Sequence, residues 1–317
     1  MGIRGNVTRT NLAYANENRD WRVYEALAQV LIRKARRLHS EDSNGLNIDE
    51  MVYAVDASTI DLCLSMFPWA HFRKTKAAIK LHTQIDLTGS IPVFIQITDG
   101  SVHDVHFMDR MLIEAGSIYV FDRGYLDFAR LFRIESANAY FVIRAKSNTR
   151  FHICESRPVD KSCGLRCDQT IKLSTYKGKR DYPGKLRRIS FFDTETRKRL
   201  VFLTNHFDLP AQVIAAIYKR RWQIELFFKW IKQNLRIKAF FGTSENAVRT
   251  QIWIAICVYL MVACLNKVHG IEESLSRILQ ILSVNVFQKV TFNELLTDFS
   301  TTEDQMLISK QLTFKDF

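Results

Sequence analysis

No apolar run in this sequence is long enough to cross a bilayer: the longest, Ile252 to Leu265, has fourteen residues, and a spanning helix needs roughly 20. That run reads as a buried helix. The opening residues, MGIRGNVTRTN, contain no apolar stretch of the secretory kind. Cysteine is sparse, with six residues at 63, 154, 163, 167, 257 and 264. They are too scattered for a disulfide framework and suit a reducing cytoplasm. His152, Cys154, Cys163 and Cys167 match the ligand spacing of no common structural zinc site. Acid is also in short supply. Forty-five Lys and Arg against 33 Asp and Glu leave a net charge of +12, which suggests a polyanionic partner without choosing nucleic acid over a membrane surface. There is no internal repeat and no low-complexity tract.

What is present suffices for one large core, or a core with a sizeable inserted module: 317 residues, 47% of them hydrophobic. Residues 19–39 carry helical periodicity, with bases gathered at the C-terminal end where they complement the helix dipole. After the polar connector SEDSNGLN come three strand-like runs, MVYAVDAS, AAIKLHTQIDL and IPVFIQITDGS. A helix starting near His103, the run SIYVFDRGY, a helix near 126–136 and the strand AYFVIRAK follow, an order that predicts a mixed α/β sheet. From Ser147 to His206 the pattern turns to strand-like runs with turn signals and no helix. Fourteen bases and six acids fall between Arg150 and Leu200, making this the most basic part of the chain. Helices resume near Pro210 and run through 282, with a short helical tail beyond. The implied division is a helical segment over 1–50, a first core part over 51–146, a β-rich basic insertion over 147–208, a helical completion over 209–285 and a tail over 286–317.

The stretch YKRRWQIELFFKWIK, residues 218–232, sets one carboxylate among bases and aromatics. Read as a single helix, it gathers Tyr218, Arg221, Glu225, Lys229 and Lys232 into a stripe about 100° wide. Ile217, Ile224, Phe228, Ile231 and Leu235 form an adjoining apolar face that can dock on a sheet. Glu225 on its own reads first as an i,i+4 partner of Arg221 and Lys229 on a solvated helix. Two further acids change that balance. VYAVD closes on Asp56 and IYVFD on Asp122, each an apolar run ending in a single carboxylate, and ligands of α/β sheets gather at such strand ends. Three carboxylates meeting there repel one another unless a cation holds them, and Mg2+ is the hard ion suited to their oxygens.

Weaker signals have plainer uses. Asp99, in an Asp-Gly pair, reads as a turn residue, and Asp61 and Asp86 as ordinary polar positions on or beside strands. Asp104 reads as a helix cap, with His103 and His106 partly exposed beside it. The bases Arg73, Lys74, Lys76 and Lys80 form a cluster after the first acidic block; a solvated face and contact with a DNA backbone are both open for it. Tyr176, Tyr182, Phe191 and Phe192, interleaved with bases, read first as packing of the β-rich part. Trp222, Trp230 and Trp253 read as core or interface.

The spacing Y-x2-R-x3-E-x6-K, met by Tyr218, Arg221, Glu225 and Lys232, together with the blocks MVYAVDASTIDL, FRKTKAAIKLH, VHDVHFMDR and YVFDRGYLDFARL, resembles the DDE transposases of bacterial insertion sequences, family four. The likeness extends over about residues 3–300. It implies a ribonuclease-H-like core with flanking helices and a β-rich insertion before the last catalytic helix, and 102 residues separate Asp122 from Glu225. It also implies that Asp56, Asp122 and Glu225 are catalytic and hold two Mg2+ ions, for which Mn2+ can substitute. Tyr218, Arg221 and Lys232 would grip DNA phosphates, with Lys229, Arg73 and Lys76 as further DNA contacts. The DRGYLDF block lacks the acid that some relatives carry at its third position, so Gly124 and Tyr125 receive no catalytic role. Family members carry a further helical region ahead of GIRGNVTRTNLAYANENRDW, so residues 1–50 are expected to be a shortened form of the N-terminal part. The expected protein is a bacterial cytoplasmic transposase, bound to the nucleoid through DNA, which cleaves insertion-sequence ends and transfers the 3′-hydroxyl into target DNA as a homodimer. A non-catalytic DNA-binding derivative that modulates the full-length enzyme and a nuclease of the same fold remain the alternatives.

Overall fold

The computed structural model describes residues 7–42, 45–73, 75–234 and 240–285. Two helices, α1 (Arg9–Asn18) and α2 (Arg22–Leu38), precede the sheet. Its first six strands are β1 (Val52–Leu62), β2 (His71–Arg73), β3 (Lys76–Asp86), β4 (Ile91–Asp99), β5 (Ile118–Phe121) and β6 (Tyr140–Arg144), with α3 (Phe128–Ser136) between the last two. β4, β3 and β1 pair antiparallel, and β1, β5 and β6 pair parallel. The order β4-β3-β1-β5-β6 is a mixed, ribonuclease-H-like sheet, as the resemblance implied.

The same sheet then continues. β7 (Phe151–Arg157), β8 (Leu165–Leu173), β9 (Leu186–Asp193) and β10 (Lys198–Thr204) form an antiparallel meander joined to β6 through β10. Contrary to the helix-free reading of this stretch, α4 (Tyr176–Asp181) forms one short helix, capped by the Thr175 side chain on Gly178 N–H. Tyr182 is buried here and Tyr176 exposed.

The central strands are apolar on both faces, as parallel strands covered on both sides must be. Val52 and Ala54 of β1, with Ile118 and Val120 of β5, belong to one core; Tyr53 and Val55, with Tyr119 and Phe121, belong to the other. The first core is closed by α5 (Ala211–Arg220), α6 (Trp222–Asn234) and α7 (Glu245–His269), and α8 (Leu275–Asn285) follows. The second is closed by α3 and by a 3-10 turn over Asp104–Asp109. That turn corrects the expected helix near His103. Asp104 makes no cap there; it pairs with Lys80 at 3.0 Å.

α7 contains the fourteen-residue apolar run and extends it in both directions. Its length and apolarity would allow it to cross a membrane, yet most of it is buried inside the protein. Gly270 ends it in the left-handed conformation, φ 58°, and donates its N–H to Asn266 O, a position glycine fills at little cost. Trp253 is buried and Trp230 packs against the core, whereas Trp222 is 58% exposed.

The start of α5 is fixed by Arg187, which is almost fully buried. It holds Asp168 with two nitrogens, at 2.9 and 2.7 Å, and the carbonyls of His206, Phe207 and Leu209 with a third. A buried guanidinium satisfied in this way ties the meander to the chain entering α5.

His82, on β3, is buried against Phe107 and bonds Thr98 Oγ1 at 2.9 Å. Burial holds its imidazole down at about 4; Asp104 opposes that shift and Lys80 adds to it. The unfolded chain therefore takes up a proton that folded His82 refuses. Below about pH 6.5 stability should fall by up to about 1.4 kcal/mol per pH unit from this group. Urea midpoints at neutral and acid pH should differ less for His82→Gln than for the wild type; equal differences would refute the assignment.

Candidate active site

Strand register brings the first two carboxylates together. β1 and β5 run parallel with Val55 beside Phe121, so the next residues, Asp56 and Asp122, emerge side by side. Both continue the alternation that put Ala54 and Val120 in the α5–α7 core, so both turn toward those helices. β5 ends at Phe121 while β1 runs on to Leu62, because β3 continues to pair with it through Leu62↔Ala77. Asp56 therefore lies within β1, not at its end as the apolar run had suggested. The neighbouring strand stops there and the strand edge opens.

Glu225 comes from the helices, which do not form the single rod read from the sequence. α5 stops at Arg220 and α6 begins at Trp222, with Arg221 capping the first at the junction. Ile217, Ile224, Phe228 and Ile231 are buried as the apolar face required; Leu235 lies outside the described residues. Tyr218 is thus on one helix, Glu225 on the next, and Arg221 between them.

Arg221 is the link. Its Nη1 donates to Asp56 Oδ2 at 2.8 Å and its Nη2 to Glu225 Oε1 at 2.5 Å. The Tyr218 hydroxyl donates to Asp122 Oδ1 at 3.4 Å, and the Tyr218 ring lies against the guanidinium, 5.8 Å from its centroid. Asp56 Oδ1 also accepts from Ala57 N–H. The electrostatics follow from this crowding. Burial pushes the Asp56 carboxyl up to about 6; the Ala57 N–H and Arg221 work against the rise, and Asp122 and Glu225 add to it. Burial opposes the charge on Arg221, but Asp56, Tyr218 and Glu225 outweigh it and hold the guanidinium above its ordinary range.

Lys232 Nζ donates to the carbonyl of Thr59 at 2.8 Å and fastens α6 to β1 beyond Asp56. Lys229 is exposed on the next turn. Asp56, Glu225, Phe228, Lys229 and Lys232 line an open cleft of about 520 Å3. Arg73 and Lys76 are not brought to it. They are exposed and face each other across the β2–β3 hairpin. Thr83 is the residue opposite Asp56, and at about 3.4 Å per residue along β3 that is roughly 24 Å from Lys76. Lys80 is engaged by Asp104 and by Val102 O, and Lys74 lies outside the described residues. Asp99 ends β4 at a turn, as read, but Asp86 is buried near Arg36. Cys154 and Cys163 are exposed and Cys167 half-buried.

One residue at the site carried no signal in the sequence. Tyr125 is buried in the 3-10 turn after Asp122, and its N–H donates to Asp122 O at 3.0 Å. Its hydroxyl is buried without a hydrogen-bond partner among the described residues. Burial, then Asp56, Asp104 and Asp122, push its ionisation well above the usual range. Only the fold places that ring near the carboxylates.

The donor set is one of hard carboxylate oxygens, and Asp56 already feels the charge of the other two. Among the described residues, no three His, Cys, Asp or Glu side chains stand grouped to hold an ion as they lie; the positive charge between Asp56 and Glu225 is the Arg221 guanidinium. Chemically the set fits a hard divalent cation, since it already binds one cationic group.

Residues 48–261 match the family described as Transposase DDE domain. A protein of Sinorhizobium fredii named as transposase y4zB is 33% identical over 245 residues, covering 75% of this chain and 67% of its own length. A Geobacillus stearothermophilus protein, named as a transposase for insertion sequence element IS5377, is 30% identical over 240 residues, 75% of this chain and 63% of its length. A Synechocystis protein named for element IS4SA is 30% identical over 191 residues and is covered over 53% of its length. The chain therefore spans between half and two thirds of these relatives. Among solved structures, a piggyBac transposase synaptic complex with hairpin DNA has a TM-score of 0.46 and 9% identity, over 78% of this chain and 56% of that one.

Replacing Arg221 with Gln should leave Asp56 and Glu225 facing each other without a counter-charge. Both acids are partly exposed, so the loss expected is about 1–3 kcal/mol, below the cost of breaking a fully buried pair. Thermal melts with a chelator and with Mg2+ should show the variant regaining more stability from the ion than the wild type does. Equal responses would remove Arg221 as the counter-charge.

Proposed function

The chain belongs to the DDE transposase family, and from that premise we propose that it cleaves DNA at the ends of an insertion sequence and transfers the freed 3′-hydroxyl into target DNA. The observation that carries this reading is the meeting of Asp56 and Glu225 on one guanidinium, with Asp122 beside Asp56 by strand register. Burial beside two other acids holds Asp56 at about 6, and perturbed groups of this kind cluster at functional sites.

In this reading Asp56, Asp122 and Glu225 hold divalent ions, two Mg2+ or Mn2+ in their place. Bound there, the ions would activate water or a 3′-hydroxyl and stabilise the leaving oxygen. The chain's own groups position the rest. Arg221 keeps two acids from separating before the cation and DNA arrive, and it can release them to take a phosphate with two parallel donors. Tyr218 orients the Asp122 carboxylate. Lys232 holds α6 against β1, so that Glu225 keeps its distance from Asp56, and Lys229 meets the phosphates at the mouth of the cleft. Arg73 and Lys76 serve duplex DNA farther out. Acting on two ends calls for two copies in the DNA-bound assembly, a homodimer, working in the bacterial cytoplasm on the nucleoid.

A strand-transfer assay with a pre-cut 3′-hydroxyl end tests the reading. Joined product supports it, cutting without joining indicates a nuclease, and salt-sensitive binding without chemistry indicates a DNA-binding derivative. Asp122→Asn should abolish cleavage and leave DNA affinity nearly unchanged; Mg2+-dependent cleavage surviving the change would overturn the role of Asp122. Asp56 must shed its proton to hold a cation, so in a pH series cleavage should decline as pH falls through about 6. Raising the Mg2+ concentration should move that decline to lower pH, because a cation favours the ionised carboxylate; a profile flat down to pH 4.5 (about 1.5 units lower) would contradict it.

A further inference from the structure

A second basic site lies around the sheet edge from the carboxylates. Arg123, Arg144, Lys146, Arg188 and Arg199 line a cleft of about 400 Å3, and among the described residues no acid lines it. Its floor is apolar: Leu203 belongs to the core on the α3 side of the sheet, and Phe151 packs against that core. The cleft therefore opens on the face away from α5 and α6. Arg188 is fixed in place by its guanidinium lying 5.1 Å from the Phe151 ring centroid and by its bond to Gln169 Oε1 at 2.7 Å. Arg199 is anchored through Nε on Ser190 Oγ. Arg123 directly follows Asp122, and Arg144 ends β6 beside β5. The row of bases thus begins at the carboxylates and turns over the end of the sheet.

The side chains of Arg123, Lys146, Arg188 and Arg199 are like charges around one hollow; they repel one another and gain most from an anion with several charges spaced along it. Size and path narrow the choice. A hollow of about 400 Å3 takes a ligand of nucleotide dimensions. A duplex, with a persistence length of about 50 nm, turns around the end of a sheet only at a bending cost of about 1–6 kcal/mol, whereas an unpaired strand pays almost none of it. We propose that this cleft holds a single-stranded stretch of DNA leading away from the bond at Asp122, its phosphates on Arg123, Lys146, Arg188 and Arg199. The proposal rests on the transposase reading for its ligand and adds where an unpaired strand goes.

Lys146 and Arg199 are exposed; because Arg199 also bonds buried Ser190, thermal melts confirm that the double variant is folded. The test is a salt series, with chelator present, in which a labelled single-stranded oligonucleotide and a blunt duplex of the same sequence are bound to the wild type and to the Lys146→Gln/Arg199→Gln double variant. For the single strand, the slope of log affinity against log salt should become shallower by about 1.4, or about 0.7 per lost cation, with the duplex slope unchanged. An unchanged single-strand slope, or an equal loss on the duplex, overturns the proposal. Mg2+-dependent cleavage is measured alongside. Wild-type protein that shows the expected strand slopes but never cleaves keeps the cleft and removes the transposase chemistry. Protein that cleaves while both slopes ignore the substitutions keeps the chemistry and removes the cleft.

Discussion

Carboxylates gathered at the end of a buried sheet repel one another, and in this chain the guanidinium of Arg221 is what lets Asp56 and Glu225 share a cleft. The architecture around the site can be understood as serving that contact. Arg221 reaches both acids because α5 and α6 break at its own position, and α5 is set against the sheet by the chain that Arg187 holds at three carbonyls. Asp56 is available because β5 stops one residue short of closing β1 over, while β3 keeps β1 extended. Even with the guanidinium in place, Asp56 titrates well above an ordinary aspartate. One cationic group does not fully satisfy three acids in so little water.

The meander β7–β10 gives the site a second consequence. Because β10 pairs with β6, the sheet that carries the carboxylates continues directly into the most basic part of the chain. The positive charge noted between Arg150 and Leu200 is not spread evenly over that region. Arg187 is spent on buried Asp168 and on the entry to α5, and Arg157 is paired with Glu155 and Asp168. Arg188 and Arg199 are left facing a cleft with the bases that follow Asp122 and β6. Charge counting located the region, but it could not separate bases used inside the fold from those turned outward.

Much of the site was legible because its residues carry local signatures. An apolar run ending in one Asp marks the end of a buried stretch of strand; β5 stops just before Asp122, whereas at Asp56 only the buried part of β1 ends and the strand runs on to Leu62. The spacing of Tyr218, Arg221, Glu225 and Lys232 put four candidate side chains on one side of a helical stretch, and the apolar positions between them were buried as periodicity demanded. The break at Arg221 left no mark in that spacing, since a helix interrupted for one residue in helical conformation keeps its periodicity. Arg73 and Lys76 looked close to the site because they follow Asp56 by about twenty residues. Strand β3 then carries them away along its length, since each residue of an extended strand advances about 3.4 Å.

The sequence by itself determined the alternation of apolar and polar residues, and with it the two-faced central strands and the helical face that docks on them, and it marked three acids as candidates. Periodicity is a property of neighbours along the chain, so it survives without a fold. Only the tertiary structure decided which charges meet: Arg221 on Asp56 and Glu225, Tyr218 on Asp122, Tyr125 buried near them, and four bases around a hollow on the other face. Those contacts join residues up to 165 positions apart, and nothing but strand register and helix packing fixes such distances.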